Sequence, residues 1–454
     1  MSTPHGLYTA LAGLFGLAFL VVTPPSGAFD EPARFLAAYE VATGSWFGAE
    51  KAPAGLVEFH AEMLGYAERR DRFGAADFAA LRRITLRKDE LVAPANPLRV
   101  VLRVHHPLAS FAYAPAMRAG LALNLNPFTI FVLCKLTTFA IGFALMREAI
   151  KATPSRRYAA ALIALAPTSV FLLGAMNFDA ILLGSCFLDA ALLAKWSGGR
   201  APLSLVQAGA LCALGFAIGS MKLPYAILPL LALIAPRAAF DRFPGRRVGF
   251  TAAATLPGIA SGVVWALFAK ARMFGDVAYT TPDGDFVSPS RQLEGMLDAP
   301  FDFLRTLAAS LFDPNSLSLY LAQAIGFIGW NRVMLPGWVY VAYIVALGVL
   351  FFDRAAAPRL AHDARALVWR LTIAGAVVSS SLALLYLQWS SVGASKIAGY
   401  QGRYLLPIAP LLLLAGPTRL GGLRTDVQRA AVVLVVAAIS LAVAVGAIWT
   451  AYRA

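Results

Sequence analysis

Charged side chains that border or interrupt long apolar runs are where this chain can do chemistry, because a charge beside lipid is costly to keep without a reason. Asp30 and Glu31 follow the first apolar run, Asp179 stands in the turn Met176-Asn177-Phe178-Asp179, and Lys222 separates two runs. Lys396 and Arg403 precede a later run, and Arg403 lies within Gln401-Gly402-Arg403-Tyr404, with a polar and an aromatic neighbour. Lys135 lies about eight residues, or 12 Å of helix, inside another run. Carboxylates facing several cations beside lipid suit a substrate that carries phosphate. Arg and Lys hold phosphate oxygens, and a carboxylate handles a proton.

Each of these residues also has a plainer role. Asp30 and Glu31 before Pro32 suit the start of a helix, and Asp179 suits the cap of a helix beginning at Ala180. Lys222 and Lys396 can extend to the interface, while Lys135 and Asp189 can pair with other helices. Trp46, Trp330, Trp338 and Trp389 suit an interfacial aromatic belt, with Trp330 and Trp389 also suited to stacking on sugar. His105 and His106 have no histidine partner at metal-ligand spacing, and Cys134, Cys186 and Cys212 all sit in apolar stretches. No resident metal or other cofactor is indicated, although a divalent cation is compatible with the carboxylates.

The elements that must position these residues are membrane helices. The 454 residues are 59% apolar and only 14% charged, which excludes a soluble multidomain chain, a disordered chain and a coiled coil. Uncharged runs over 6–29, 158–178, 201–221, 248–269, 333–352, 371–395 and 430–451 are each long enough to cross a bilayer. Four less clean runs cover 128–146 with Lys135, 180–194 with Asp189, and the Pro-containing 223–236 and 404–416. About eleven crossings are expected, with a range of ten to thirteen. The chain reads as an all-α polytopic membrane protein, a single membrane domain over 1–454, whose first helix is a retained signal anchor.

Charge sets the topology. Five short connections carry 17 of the 39 Lys and Arg residues, so they are placed in the cytoplasm together with the N-terminus. They also account for most of the +14 net charge, which makes a nucleic-acid partner unnecessary. Two long segments on the other side, 30–126 and 270–332, hold 18 of the 25 acidic residues. Within the first, 33–43 and 58–70 have the apolar spacing of interfacial helices, and 106–119 reads as a juxtamembrane helix. In the second, Thr281–Asp285 reads as a surface turn, and 301–312 and 317–330 as interfacial or re-entrant helices. Walker, Rossmann, Gly-x-Ser-x-Gly and His-Glu-x-x-His motifs are missing from the sequence, which disfavours an ATP-driven pump.

Several of these residues fall into a familiar pattern. Pro24-Pro-Ser-Gly-Ala-Phe-Asp-Glu-Pro-Ala-Arg-Phe35, His106-Pro107-Leu108, 167–179, Lys222-Leu-Pro-Tyr225, Gly329-Trp330 and Gly399-Tyr-Gln-Gly-Arg-Tyr404 together resemble a bacterial family of predicted polytopic membrane proteins of unknown function, grouped with the GT-C glycosyltransferases. Arg34 and the single proline of His105-His106-Pro107-Leu108 depart from the family pattern. The resemblance implies a GT-C-like fold with a long first periplasmic loop carrying juxtamembrane helices. It also implies an inverting transfer of sugar from a polyprenyl-phosphate donor to an envelope glycan or lipid acceptor, at the periplasmic face of the inner membrane. Asp30, with Glu31 second, would then be the catalytic base. Arg403, Lys222, Lys396, Gln401 and Tyr404 would hold the donor, with Asp179, His106, Trp330 and Lys135 as further site candidates. A flippase of a lipid-linked saccharide would use the same cations, but predicts charges along a midplane path and two similar halves. A non-catalytic partner in polysaccharide assembly is the third reading.

Overall fold

The computed structural model describes residues 3–46, 51–69, 72–93, 106–199, 201–269, 279–280, 286–352, 364–414, 423 and 425–453. His105 and the turn expected over Thr281–Asp285 lie outside them. The chain is mostly helical, and six helices are long and apolar enough to cross a membrane: Pro4–Val22, Pro127–Ala152, Asp179–Ser197, Arg246–Ala269, Ala364–Gln388 and Asp426–Tyr452. Leu205–Met221, Leu223–Ile234, Gly337–Phe351 and Gly402–Leu413 are shorter apolar helices.

Local chemistry sets where these helices begin and break. Asn126 accepts the Thr129 N–H at 2.8 Å ahead of Pro127, and Ser204 with Gln207 and Thr425 with Gln428 form capping boxes. The run expected over 158–178 is two helices, Arg157–Ala164 and Pro167–Leu173. Pro167 forces Ala166 into extended backbone (ψ 137°) and parts them. Pro229 and Pro407 sit inside Leu223–Ile234 and Gly402–Ile408, and both segments wind as 3-10 helices.

In lipid, helices associate through close packing rather than apolar burial. Gly215 and Gly219 on Leu205–Met221 face Gly258 and Gly262 on Arg246–Ala269, so closely that a Cβ on Gly215 would come within 2.2 Å of the Ala254 carbonyl. This contact packs Arg246–Ala269 against the helix whose C-terminal end presents Lys222. Val264, Val341 and Val435 are exposed on outer helix faces, where acyl chains would cover them.

The bundle has two chemically distinct ends. At one, Arg156 donates to the carbonyls of Phe351 (2.9 Å) and Leu413 (3.1 Å), gathering the C-terminal ends of two apolar helices. At the other, Tyr452 closes the last helix. Its hydroxyl lies 2.8 Å from the Gly329 carbonyl and 3.2 Å from that of Gly27, and its own carbonyl accepts the Phe73 N–H. Both long segments therefore gather at the end where Pro4–Val22 and Asp426–Tyr452 finish.

The first long segment folds into a small helical layer. It contains Glu31–Thr43, Ala54–Arg69, Ala75–Arg83, Leu108–Phe111 and Ala114–Ala122, with a two-residue strand Ala52–Pro53 antiparallel to Leu91–Val92. Phe35 meets Phe59 and Phe131 edge-on, and Phe59 and Phe131 lie tilted to each other, all at 5.2–6.0 Å, which fastens this layer to Pro127–Ala152. The single helix expected over 106–119 is instead two, broken ahead of Pro115. In the second long segment, Pro300–Phe312 and Pro314–Ile325 are 13 and 12 residues, short of the roughly twenty a crossing needs. The part of 317–330 beyond Ile325 turns into a hairpin, Phe327–Ile328 against Val333–Met334.

Candidate functional site

Four segments meet at the end that Tyr452 closes: the turn after Pro4–Val22, the turn before Asp179–Ser197, the tip at Lys222, and the 3-10 helix Gly402–Ile408. Arg403 lies at the junction. Its Nη1 is 3.1 Å from Asp179 Oδ2 and its Nη2 is 3.6 Å from Asp30 Oδ2, and its guanidinium covers the Phe29 ring at 4.2 Å. Arg34 approaches the same Asp30 oxygen at 3.9 Å and covers Phe178 at 4.6 Å.

Neither acid makes the helix cap its sequence position suits. Asp30 has φ 62°, in the left-handed region that Asp tolerates better than most residues, and its side chain makes no capping hydrogen bond. Asp179 is the first helical residue; its N–H goes to Asn177 Oδ1 at 2.9 Å, while its carboxylate faces Arg403.

Glycine at 402 is what lets the Gln401–Tyr404 element place Arg403. A Cβ there would lie 1.7 Å from the Tyr320 carbonyl oxygen, and the Gly402 N–H donates to Gln323 Oε1 at 2.7 Å. The Gln323 carbonyl in turn accepts from the Thr168 hydroxyl at 2.8 Å. The motif is thus pressed onto helix Pro314–Ile325 with no room for a side chain. Tyr404 follows, its carbonyl accepting the Tyr225 hydroxyl at 2.7 Å and its ring carrying Lys222 Nζ at 3.4 Å from the centroid. Lys222 and Arg34 join Arg403 in acting electrostatically on Asp179.

Other candidates are placed differently. Glu31 is fully buried. Lys135 lies 3.6 Å from it, and it accepts backbone N–H groups of Met176 (3.0 Å) and Ala28 (3.4 Å). Burial pushes its carboxyl above the usual carboxylate range, against the opposing pull of Lys135. The pair ties the first helical layer to Pro127–Ala152 directly beneath the cluster. Lys396 pairs with Asp313 at 3.3 Å, on the N-cap of Pro314–Ile325. His106 sits against the helix Arg246–Ala269, with Nε2 3.1 Å from Ser261 Oγ and Nδ1 accepting the Leu108 N–H. Burial lowers its pKa. Trp330, at φ 56°, sets its ring 5.6 Å from Phe29 and joins the site from the second long segment.

Beside Arg403 is a small recess, with room for about one water molecule, lined by Phe29, Thr168, Gln323, Asn331 and Gln401, with apolar walls from Phe171 and Phe327. Among the described residues, no group of three or more His, Cys, Asp or Glu side chains could hold a metal ion.

Sequence reasoning missed Arg34, Gln323 and Tyr452 as parts of this end. Arg34 had a visible signal, being three residues after Glu31 and one helical turn from Asp30. Gln323 and Tyr452 gave none, since each acts through backbone groups distant in the chain.

The fold and its buried ionic cluster define a helical integral-membrane protein with a polar site at one end of the bundle. Residues 13–412 match the family described as a predicted membrane protein, DUF2142, and the chain belongs to that family. No curated protein and no solved structure matches it.

Proposed function

We propose that the protein is a GT-C-type glycosyltransferase that moves a sugar from a polyprenyl-phosphate donor to an envelope glycan or lipid acceptor. The observation that carries this reading is Asp30: a half-exposed carboxylate faced by two buried guanidinium groups and bordered by Phe29 and Trp330. In it, the apolar helices and the broken pair 157–173 together make about eleven crossings of the bacterial inner membrane. The basic loops belong to the end held by Arg156, so the positive-inside rule turns the Asp30 end to the periplasm.

Asp30 takes the proton of the acceptor hydroxyl as that oxygen attacks the sugar C1 from the face opposite the phosphate, which inverts the anomeric centre. Arg403, fixed by Asp179 and Gly402, stabilises the charge growing on the departing phosphate, with Lys222 behind the Tyr404 ring adding to the field. The sugar lies beside Asp30 and stacks toward Phe29 and Trp330. Glu31 serves the fold, because Lys135 and two backbone donors occupy it. No nucleotide is needed, since the phosphate-linked donor is already activated.

The test is direct transfer in lipid nanodiscs, with radiolabelled polyprenyl-phosphate sugars and a panel of envelope acceptors, wild type beside Asp30→Asn. The expected result is label on an acceptor with wild type and a loss of about 100-fold or more with Asp30→Asn. Donor that binds yet is never consumed by wild type would overturn the reading, and a flipping assay in liposomes would then decide for a transporter.

A further inference from the structure

Phe29-Asp30 and Phe178-Asp179 are built alike and cross-braced by two arginines. Arg403 covers the first ring and grips the second carboxylate, whereas Arg34 covers the second ring and approaches the first carboxylate. Arg403 also reaches back to Asp30, so both guanidinium groups bear on that one side chain.

The four side chains are not equally fixed. Those of Arg34, Arg403 and Asp179 are 3%, 5% and 10% exposed, whereas that of Asp30 is 41% exposed. Its two contacts, at 3.9 and 3.6 Å, are beyond hydrogen-bond length, while Asp179 meets Arg403 at 3.1 Å. Asp30 is therefore the exchangeable anion of the cluster. It covers two cations that are otherwise closed off.

We infer that Asp30 occupies the seat of the substrate's phosphate before the donor binds: Arg34 and Arg403 form a two-guanidinium clamp for a phosphate monoester, which Asp30 vacates as the donor enters, turning to the acceptor side of C1. The direction of that exchange rests on the glycosyl-transfer reading; the clamp itself rests on the geometry. Arg34, Arg403 and Lys222 are three cations and Asp179 one anion, so the seat without Asp30 is left with two positive charges. A prenyl phosphate monoester carries close to two negative charges above its second pKa of about 6, and the diester donor carries one. The clamp thus matches the departing group better than the bound donor, which is the condition for accelerating its departure.

The step balances in atoms and charge. The acceptor oxygen bonds to C1, the C1–O bond to phosphate breaks with its electron pair going to the phosphate, and the acceptor proton goes to Asp30. A protonated Asp30 no longer attracts the guanidinium groups at the moment the phosphate gains its second charge.

The test is calorimetric binding of farnesyl monophosphate to the full-length protein in nanodiscs at pH 7.5, with inorganic phosphate and farnesol as separate probes. Asp30→Asn keeps the shape, and Asn tolerates the left-handed backbone. It is expected to bind farnesyl monophosphate about fivefold or more tighter than wild type, because a competing internal anion is gone. Arg34→Gln is expected to bind about fivefold or more weaker, with Arg34→Lys between them. Inorganic phosphate should follow the same order, and farnesol should not discriminate. Should Arg34→Gln fail to fold, the sign of the Asp30→Asn effect still decides. Equal or weaker binding by Asp30→Asn overturns the clamp even where sugar transfer is found. Tighter binding by Asp30→Asn without any transfer leaves the clamp standing and removes the glycosyltransferase reading.

Discussion

Asp179 meets Arg403 at 3.1 Å, with both side chains almost entirely withdrawn from solvent. This contact joins two helices far apart in the chain and fixes the guanidinium that faces Asp30. Removing one partner strands a buried charge. Asp179→Ala is expected to destabilise the protein by about 3–5 kcal/mol, whereas Asp30→Ala, at the exposed contact, should cost under about 1 kcal/mol. Thermal unfolding in one detergent tests the ranking, and equal losses would show that Asp179 does not anchor Arg403.

Glu31 and Lys135 should behave as a unit. The carboxylate is fully buried and the ammonium nearly so. Glu31→Gln or Lys135→Met alone is expected to lose about 3–5 kcal/mol, and the double variant clearly less than the sum of the two. A double-mutant cycle on unfolding free energy measures the coupling. Additive losses would mean that the two side chains act independently.

Gly402→Ala places a methyl group against the Tyr320 carbonyl and must push the 3-10 helix away from Pro314–Ile325. The expected cost is about 1–3 kcal/mol, together with a fall in donor binding, because Arg403 moves with its neighbour. Gly375→Ala is the control. Its Cβ would meet nothing within 4 Å, and it lies in helix Ala364–Gln388, so it should be neutral or stabilising by up to about 1 kcal/mol. Differential scanning fluorimetry of the two variants side by side separates crowding from a general intolerance of substitution.

Tyr452 spans two turns that both carry site residues. Its hydroxyl lies within hydrogen-bond reach of the carbonyls of Gly27, ahead of Phe29 and Asp30, and of Gly329, ahead of Trp330. Tyr452→Phe keeps the ring and removes only the hydroxyl, so a stability loss of about 1 kcal/mol is expected. The proposed transfer reaction should lose more in kcat than in KM, since the loosened turn carries Asp30 while Arg403 keeps its contact with Asp179. A loss confined to KM would place Tyr452 outside the positioning of Asp30.

How far the sequence discloses these features depends on the kind of signal. Apolar runs of about twenty residues carry their own evidence, because lipid leaves a backbone few alternatives to helix. Hence helices occur at every run expected to cross. The prolines at 167, 229 and 407 disclose where helices break or tighten, and the asymmetry of basic loops separates the two ends. The convergence of Asp30, Asp179, Lys222 and Arg403 at one end is likewise readable, since the alternation expected from the apolar runs puts them on one side. What stays hidden is pairing. Nothing local distinguishes Glu31, which turns inward to Lys135, from Asp30 beside it, which turns to Arg34 and Arg403. Lys396 has the same flanks as a donor-binding cation, yet it goes to Asp313. Those choices are made by helix rotation and by contacts across the bundle, such as the fit of Gly402 under Tyr320.

The helical layer of the first long segment carries its own pH sensitivity. His60 is 3% exposed on Ala54–Arg69, the helix that also buries Phe59 and Met63, and burial lowers its pKa from 6.5 to about 4. With the folded pKa below the unfolded one, the unfolded chain takes up the proton first. The stability His60 contributes is therefore fully present above pH 6.5 and is lost as pH falls from 6.5 toward 4, by about 3 kcal/mol if the whole interval is realised. Unfolding of the protein at pH 7.5, 6, 5 and 4, beside His60→Leu, reads this directly. The wild type should lose stability down this series, while the variant should lose less, by a margin that widens between pH 6.5 and 4. Parallel curves would show that His60 stays neutral in both states or is reached by solvent, and the acid sensitivity of the layer would then belong to its carboxylates.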